Sequence, residues 1–289
     1  FFTLTSLTCV YLSFQNRVNS NPLDYFSESV KIRKDYDLIK QHMGGIGGPQ
    51  IVVHSGKADG VKSSDFLNKV EQYDAWIRKN IEGVATTVSS LDIVKKMNQD
   101  FNAGDPAFYK IPDDNNKIAQ FLFLYSLSLP QGMSLHDKIS TDYESLRLYV
   151  IWSNHNSSAA VKNIDRINKA AKMFGLDAYV SGQMPLYQKL NSYVVDTFFT
   201  SMGLAVILVG LFMIFIFRSF KLGSLSMLPN IIPLTFGGAL MTLTSREIDL
   251  GAAINYSVCL GVVVDDTIHF LFDYNRNRKS GQSIQQALT

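Results

Sequence analysis

The stretch that decides the fold lies near the end of the chain and reads GAAINYSVCLGVVVDDTIHFLFD, residues 251–273. Its length and apolar character fit a helix that crosses a bilayer, which needs about 20 residues. Two adjacent acids, Asp265 and Asp266, interrupt it. Because a carboxylate at the bilayer centre costs about 2.5–3.5 kcal/mol on insertion scales, the pair predicts a functional site.

Helical geometry gives the two acids different neighbours. Steps of three and four residues from Asn255 pass through Asp266 and His269, so this stripe is largely polar. The stripe that contains Asp265 is otherwise apolar, and Gly261 on it permits the close approach of another helix. Two carboxylates packed into one crevice do not both ionise easily, so we expect a site that exchanges a proton.

Less specific interpretations of these residues remain open at this point. The acids could lie at a helix end or in a water-filled vestibule with structural partners. His269 could be a relay member or a hydrogen-bonding residue at the membrane surface, and Asn255 is a candidate for supporting the relay.

Two other apolar segments precede the acidic stretch, which gives three predicted transmembrane helices within residues 191–274, at about 198–217, 225–244 and 251–272. Gly237 and Gly238 in the second segment predict close helix packing. Residues 1–18 are expected to be the end of a truncated transmembrane helix. Residues 275–289 are expected to form a cytoplasmic amphipathic helix, also truncated.

The region between the first helix and these spans, residues 19–190, is polar and predicts a folded domain. Residues 50–54 and 84–88 each read as a strand, with a helical pattern between them, which indicates one strand–helix–strand unit. A second unit follows around residues 146–180. Two such units predict an α+β domain of the ferredoxin-like kind. An apolar run at 118–125 is too short to cross a membrane and predicts a buried helix, with a substrate-facing surface as the alternative.

The basic residues predict the orientation in the membrane. They cluster on one side of the predicted spans, at Arg218, Lys221, Arg276, Arg278 and Lys279, whereas Arg246 on the other side is offset by Glu247 and Asp249. Since positively charged loops stay in the cytoplasm, the large domain is expected to be extracytoplasmic.

Composition and motifs argue against several other classes of protein. The net charge of +2 and the lack of a basic block do not fit a nucleic-acid binder. The histidines lack metal-ligand spacing, and GGIGGPQ at 44–50 lacks the lysine and hydroxyl residue of a phosphate loop. We therefore expect neither an enzyme nor a bound metal or cofactor.

A family resemblance rests on GVVVDDTIHFLFDYNRNRKSG, residues 261–281. This segment resembles the fourth-span signature of the resistance–nodulation–division (RND) superfamily, in the hydrophobe-exporting branch with the mycobacterial large membrane proteins (MMPL). The matching features are Gly261, the acid pair, Thr267-Ile268-His269-Phe270, the basic tail and Gly281. The resemblance implies a proton relay at Asp265 and Asp266, with Thr267 in a supporting position. It also implies a porter-like domain and a chain that covers nearly half of such a transporter.

The expected function is export of lipids or other hydrophobic molecules, driven by the proton gradient. The expected partners are membrane lipids, a hydrophobic substrate, the other half of the same transporter and further copies of the protein. The expected location is a cell membrane, most simply the bacterial inner membrane. The alternatives are a sterol-sensing or Sec-associated relative in the same superfamily, and a receptor or scaffold that transports nothing.

Overall fold

The computed structural model describes residues 2–16, 26–45, 47–153, 157–244 and 247–287. The chain divides into two compact units. One is Asn21–Lys189, and the other combines Phe1–Ser20 with Leu190–Thr289. The boundary expected between residues 18 and 19 lies outside the described residues.

Helices and strands are labelled in chain order. They are α1 (Phe2–Ser13), α2 (Lys31–Met43), β1 (Gln50–His54), α3 (Ser64–Asn80), β2 (Val84–Val88), α4 (Ser90–Asp100), α5 (Asn115–Ser128), β3 (Ser145–Trp152), α6 (Ser157–Met173), β4 (Asp177–Ser181), α7 (Gln183–Phe217), α8 (Phe220–Ser226), α9 (Leu228–Leu243), α10 (Leu250–Lys279) and α11 (Ile284–Ala287).

The first unit is built on a four-stranded antiparallel sheet with the order β2-β3-β1-β4. α3 connects β1 to β2, and α6 connects β3 to β4, so each connection crosses over an intervening strand. The predicted strands at 50–54 and 84–88 are confirmed. In β3 the residues alternate between half-buried and buried, which puts one face of the sheet in the core.

The core of this unit joins α3 and α6 to the buried face of the sheet. Ile51, Leu148 and Ile167 are fully buried in one cluster with Tyr73. The Tyr73 hydroxyl donates a hydrogen bond of 3.0 Å to the carbonyl oxygen of Ile167, which ties α3 to α6. Burial raises the pKa of the Tyr73 phenol well above its ordinary value, because the ionised form would lose its hydration.

The apolar run at 118–125 belongs to α5, which is buried on one side only. Ile118 and Leu122 are almost fully buried, whereas Phe123 is 60% exposed and Leu127 is 67% exposed. The prediction of a buried helix is therefore correct for one side of α5 and wrong for the other. The physical reason is that α5 packs on the core through one side only, where Ile118, Phe121 and Leu122 are three and four residues apart, although its other side is also apolar.

Among the described residues, three helical segments are long and apolar enough to cross a membrane, at Gln183–Phe217, Phe220–Leu243 and Gly251–Lys279, and all but the first turns of Gln183–Phe217 belong to the second unit. The segments predicted at 198–217 and 251–272 are longer than expected. α7 begins directly after β4, since Pro185 is tolerated in a first turn. α10 continues to Lys279, because Arg276, Arg278 and Lys279 interact favourably with the negative end of the helix dipole.

Two other boundaries differ from the sequence prediction. The segment predicted at 225–244 corresponds to α9, which begins at Leu228 with Pro229 in its first turn, and its first two residues are the end of α8. The predicted helix over 275–289 is also wrong in its bounds. Its first residues belong to α10, Gly281 follows with a φ of 89°, and α11 covers only Ile284–Ala287. Residues 288–289 lie outside the described ranges.

α1 and α9 are joined by polar contacts as well as by packing. The Ser13 hydroxyl donates to the carbonyl oxygen of Thr235 at 2.6 Å, and the Asn16 amide donates to that of Gly238 at 2.9 Å. The Thr242 hydroxyl donates to the carbonyl oxygen of Leu12 at 2.8 Å. These three bonds fix the C-terminal end of α1 against α9.

Candidate proton site in the third apolar helix

α10 carries the acid pair and has a polar residue at each end. The Asp249 carboxylate accepts a hydrogen bond of 2.7 Å from the backbone N–H of Ala252, which caps the helix N-terminus. Near the C-terminus, Asp273 pairs with Arg276 at 3.3 Å. The acids Asp265 and Asp266 lie between these ends, in the apolar part of the helix.

Asp266 lines an apolar cavity of ≈ 470 Å³ between α10 and the helices α7, α8 and α9. The lining residues are mostly aromatic or aliphatic. They are Phe217, Leu222, Leu225, Ser226, Pro229, Val263, Asp266, Thr267, Phe270, Leu271, Tyr274 and Asn275. Asp266 is the one acid among them, and it shares the lining with the polar residues Ser226, Thr267, Tyr274 and Asn275. A proton bound to Asp266 would leave this lining without a charged side chain.

Asp265 points in a different direction and pairs with His269. The distance from Asp265 Oδ1 to His269 Nε2 is 3.5 Å, and the two side chains are 72% and 77% exposed. The helical pattern in the sequence had instead placed His269 on the same stripe as Asp266. The spacing of four residues explains the difference, because it brings side chains one above the other on a helix.

Thr267, the residue after the acids, is held by a buried hydrogen bond between helices. Its hydroxyl donates to Asn230 Oδ1 of α9 at 2.7 Å, and the Asn230 amide donates to the carbonyl oxygen of Ser226 at 3.3 Å. Asn230 is fully buried, and Thr267 is 7% exposed. The bond fixes the rotation of α10 about its axis and so decides which way the neighbouring acids point.

Asn230 is a site residue that the sequence pattern did not single out. The available signal was a single amide in the apolar segment LPNIIPL, residues 228–234, where an uncompensated polar group is costly. That cost indicates a buried partner but does not identify it.

Asn255 does not join the acids. It lines a different cavity of ≈ 890 Å³ between α9 and the start of α10, together with Cys259, Tyr256 and Asp249. Eleven residues separate Asn255 from Asp266, which is a rise of about 16 Å along a helix. Within the described residues, Asn255 therefore has no contact with either acid that would let it support the relay.

The three glycines predicted to allow close packing have different surroundings. A Cβ atom on Gly238 would lie 2.5 Å from Ser13 Oγ, so α1 depends on this glycine for its approach to α9. A Cβ atom on Gly237 would make an ordinary contact with Tyr256, and one on Gly261 would meet no atom within 4 Å. Gly261, Asp265 and Asp266 are each exposed in this chain, so Asp266 lines the cavity without being enclosed by it.

The chemistry that these side chains can perform is proton binding and release. Within the described ranges, no three His, Cys, Asp or Glu side chains are grouped closely enough to hold a metal ion. The site consists of two carboxylates with different surroundings, one imidazole paired with the first, and one hydroxyl that locks the helix beside the second.

Comparison with known proteins supports the class of membrane protein that the apolar helices indicate. No family model matches the chain. The chain is similar to a protein of Methanocaldococcus jannaschii named only as a candidate membrane protein, MJ1562, with 22% identity over 241 residues. The match covers 81% of this chain and 58% of that protein, so the chain spans a little over half the length of the relative.

Proposed function

We propose that this chain is part of a proton-driven transporter of the RND superfamily, in the branch that exports lipids or other hydrophobic molecules. The observation that carries the proposal is the acid pair on a membrane-length helix, with Asp266 in an apolar cavity. Intramembrane carboxylates are costly to insert and usually belong to ion or proton pathways. A proton that crosses a potential of 100 mV provides about 2.3 kcal/mol.

The two acids have different roles in this proposal. Asp266 takes up a proton inside the cavity, where neutralisation lets the surrounding helices pack more closely. Asp265 and His269 exchange protons on the exposed side of α10, which we propose is covered by the second half of the transporter.

We also propose that the first unit is a ferredoxin-like porter domain outside the cytoplasm. The strand order β2-β3-β1-β4 and the two strand–helix–strand connections support the ferredoxin-like description. The excess of basic residues in the loops after α7 and at the end of α10 supports the cytoplasmic location of those loops. The protein would then lie in the cell membrane with this domain receiving the substrate.

Asparagine substitutions test the proposal in the full-length protein reconstituted in liposomes. Asp265→Asn and Asp266→Asn should each lower proton-coupled movement of the hydrophobic reporter N-phenyl-1-naphthylamine by more than about a hundredfold, because Asn cannot release a proton. Reporter movement is followed by fluorescence under an imposed pH gradient.

Asp273→Asn is the matched control, since it removes a carboxylate from the same helix outside the proposed relay. It should transport at the wild-type rate. If both variants in the acid pair also transport at that rate, the relay is refuted, and a receptor or scaffold becomes the better account.

A further inference from the structure

The wall that α10 gives to the apolar cavity ends in cations. Residues four apart on a helix lie one above the other, and one such row on this wall contains Asp266, Phe270 and Tyr274, which all line the cavity. The next residue along that row is Arg278, in the last turn of α10. Lys279 continues the neighbouring row. The face of α10 that lines the cavity is therefore extended by positive charge.

The short helix α8 brings another cation to the same end of the cavity. Asn230, near the start of α9, contacts Thr267 in the second half of α10, and the two helices run antiparallel. Because α8 precedes α9, it lies towards the C-terminal end of α10. Lys221 of α8 is exposed and lies four residues before Leu225, which lines the cavity. Lys221 is thus one helical turn from the lining, on the side of α8 that contributes to it.

The cations on the cavity side differ from the other cation in the last turn of α10. Among the described residues, neither Lys221 nor Arg278 has a carboxylate within ion-pair distance. Arg278 donates one hydrogen bond, from Nη1 to the carbonyl oxygen of Gln282 at 2.8 Å, and its guanidinium has further donors. Arg276 instead pairs with Asp273 at 3.3 Å. Two residues rotate a helix by about 200°, so Arg276 lies on the side of α10 away from the cavity.

The dimensions of the cavity fit a lipid chain better than a small anion. Its volume of ≈ 470 Å³ lies within the range of ligand pockets, about 300–1,000 Å³. Twelve residues separate Asp266 from Arg278, which is a rise of about 18 Å along a helix. One leaflet of a bilayer has a hydrocarbon depth of about 15 Å, half of the whole core. A molecule with its charge at Arg278 and an apolar chain along this wall would therefore extend through one leaflet.

We propose that the cavity and its cationic end bind an anionic phospholipid from the adjoining leaflet. The headgroup phosphate accepts hydrogen bonds from Arg278 and Lys221, and an acyl chain contacts Phe270 and Leu225. Basic pockets between transmembrane helices bind the headgroups of anionic lipids, and a guanidinium matches the geometry of a phosphate. The chain would lie where the helices pack more closely after Asp266 is protonated. That last consequence rests on the proposed function, whereas the binding itself does not.

The test measures lipid binding to the full-length protein by native mass spectrometry from dodecyl maltoside micelles. The probes are dioleoyl phosphatidylglycerol, dioleoyl phosphatidylcholine and glycerophosphoglycerol, which is the anionic headgroup without its chains. Phosphatidylglycerol should bind at least tenfold more tightly than phosphatidylcholine, and glycerophosphoglycerol should not bind at concentrations that saturate the protein with phosphatidylglycerol. Arg278→Gln and Lys221→Gln should each weaken the binding of phosphatidylglycerol about tenfold, in line with the loss of one charged hydrogen bond.

Two control variants separate this site from charge in general and from the relay. Arg276→Gln removes a cation from the same turn of α10 on the side away from the cavity, and it should bind phosphatidylglycerol as the wild type does. Without added lipid, Arg276→Gln and Arg278→Gln should unfold at similar temperatures, because each removes one charge from the same helix end. Asp265→Asn should abolish proton-coupled transport and still bind the lipid, so failure of the relay and failure of this site are distinguishable.

Several results would overturn the proposal. Equal affinity for the two lipids, or unchanged affinity in both Arg278→Gln and Lys221→Gln, would mean that the cations do not hold the headgroup. Glycerophosphoglycerol that binds as tightly as the lipid would mean that the cavity does not hold a chain. An equal loss of affinity in Arg276→Gln would mean that charge at this end of α10 acts without a defined site. A fall in unfolding temperature without lipid that is confined to Arg278→Gln would assign Arg278 a structural role.

Discussion

At the residue scale, the hydrogen bond from Thr267 to Asn230 explains why two adjacent acids have different surroundings. Consecutive residues on a helix point about 100° apart, so fixing Thr267 against α9 also fixes Asp266 beside the cavity. The sequence could predict that the acids matter, because their cost depends only on residue type and helix length. It could not identify Asn230 as the partner, since a contact across 37 positions depends on how two helices pack.

Removing that hydroxyl should loosen the pair of helices. Thr267→Val keeps the shape and should lower the free energy of unfolding in detergent by about 0.6–1.7 kcal/mol, the range for hydrogen bonds between membrane helices. Thr267→Ser keeps the donor and should cost less. A double-mutant cycle with Asn230→Leu should show strong coupling, and additive effects of the two changes would contradict the assigned bond.

A second residue-scale prediction concerns acid sensitivity of the first unit. Hydrogen bonds from the Ser140 hydroxyl and the Glu144 N–H lower the pKa of Asp142 below its ordinary value. A depressed pKa stabilises the folded state above the unfolded-state pKa, and this contribution is lost as the pH falls through the folded-state pKa. Asp142→Asn should therefore unfold at a lower temperature than the wild type at neutral pH, with the two converging in strong acid. A difference that stays constant with pH would contradict this assignment.

At the scale of elements, the short strands were predicted well and the long helices poorly at their ends. The short β-branched runs of β1 and β2 are bounded by polar and glycine residues, which defines their ends locally. Hydropathy identifies the apolar part of a helix, but α7 and α10 continue through polar residues, where propensity and the helix dipole decide the end. The sequence predicted that Gly238 allows close packing of another helix, but it did not identify α1 as that helix.

A pair of glycine substitutions tests that packing. Gly238→Ala should destabilise the protein by about 1–3 kcal/mol, because its Cβ atom would displace Ser13. Gly203→Ala in α7 is the matched control, since its Cβ atom would meet nothing within 4 Å, and it should be neutral or stabilising. Unfolding temperatures in detergent give the comparison, and equal effects of the two substitutions would mean that α1 does not depend on Gly238.

At the scale of the whole molecule, the proposed orientation requires the first unit and the end of α10 to lie on opposite sides of the membrane. Cysteines replace exposed residues in a protein whose Cys9 and Cys259 are changed to Ser. Asp113→Cys, in the first unit, should react with an impermeant maleimide added to intact cells. Ser280→Cys, directly after α10, should react only after the membrane is opened. The reverse pattern would overturn the proposed orientation.

The most direct test of the central claim is whether the acid pair binds a proton inside the membrane. Dicyclohexylcarbodiimide modifies carboxyl groups that are protonated in an apolar environment, and mass spectrometry locates the adduct. We expect modification within the peptide that contains Asp265 and Asp266, faster at lower pH and lost when both are changed to Asn, while Asp273 stays unmodified. No adduct on that pair at any pH, or equal modification of Asp273, would contradict a proton site in α10.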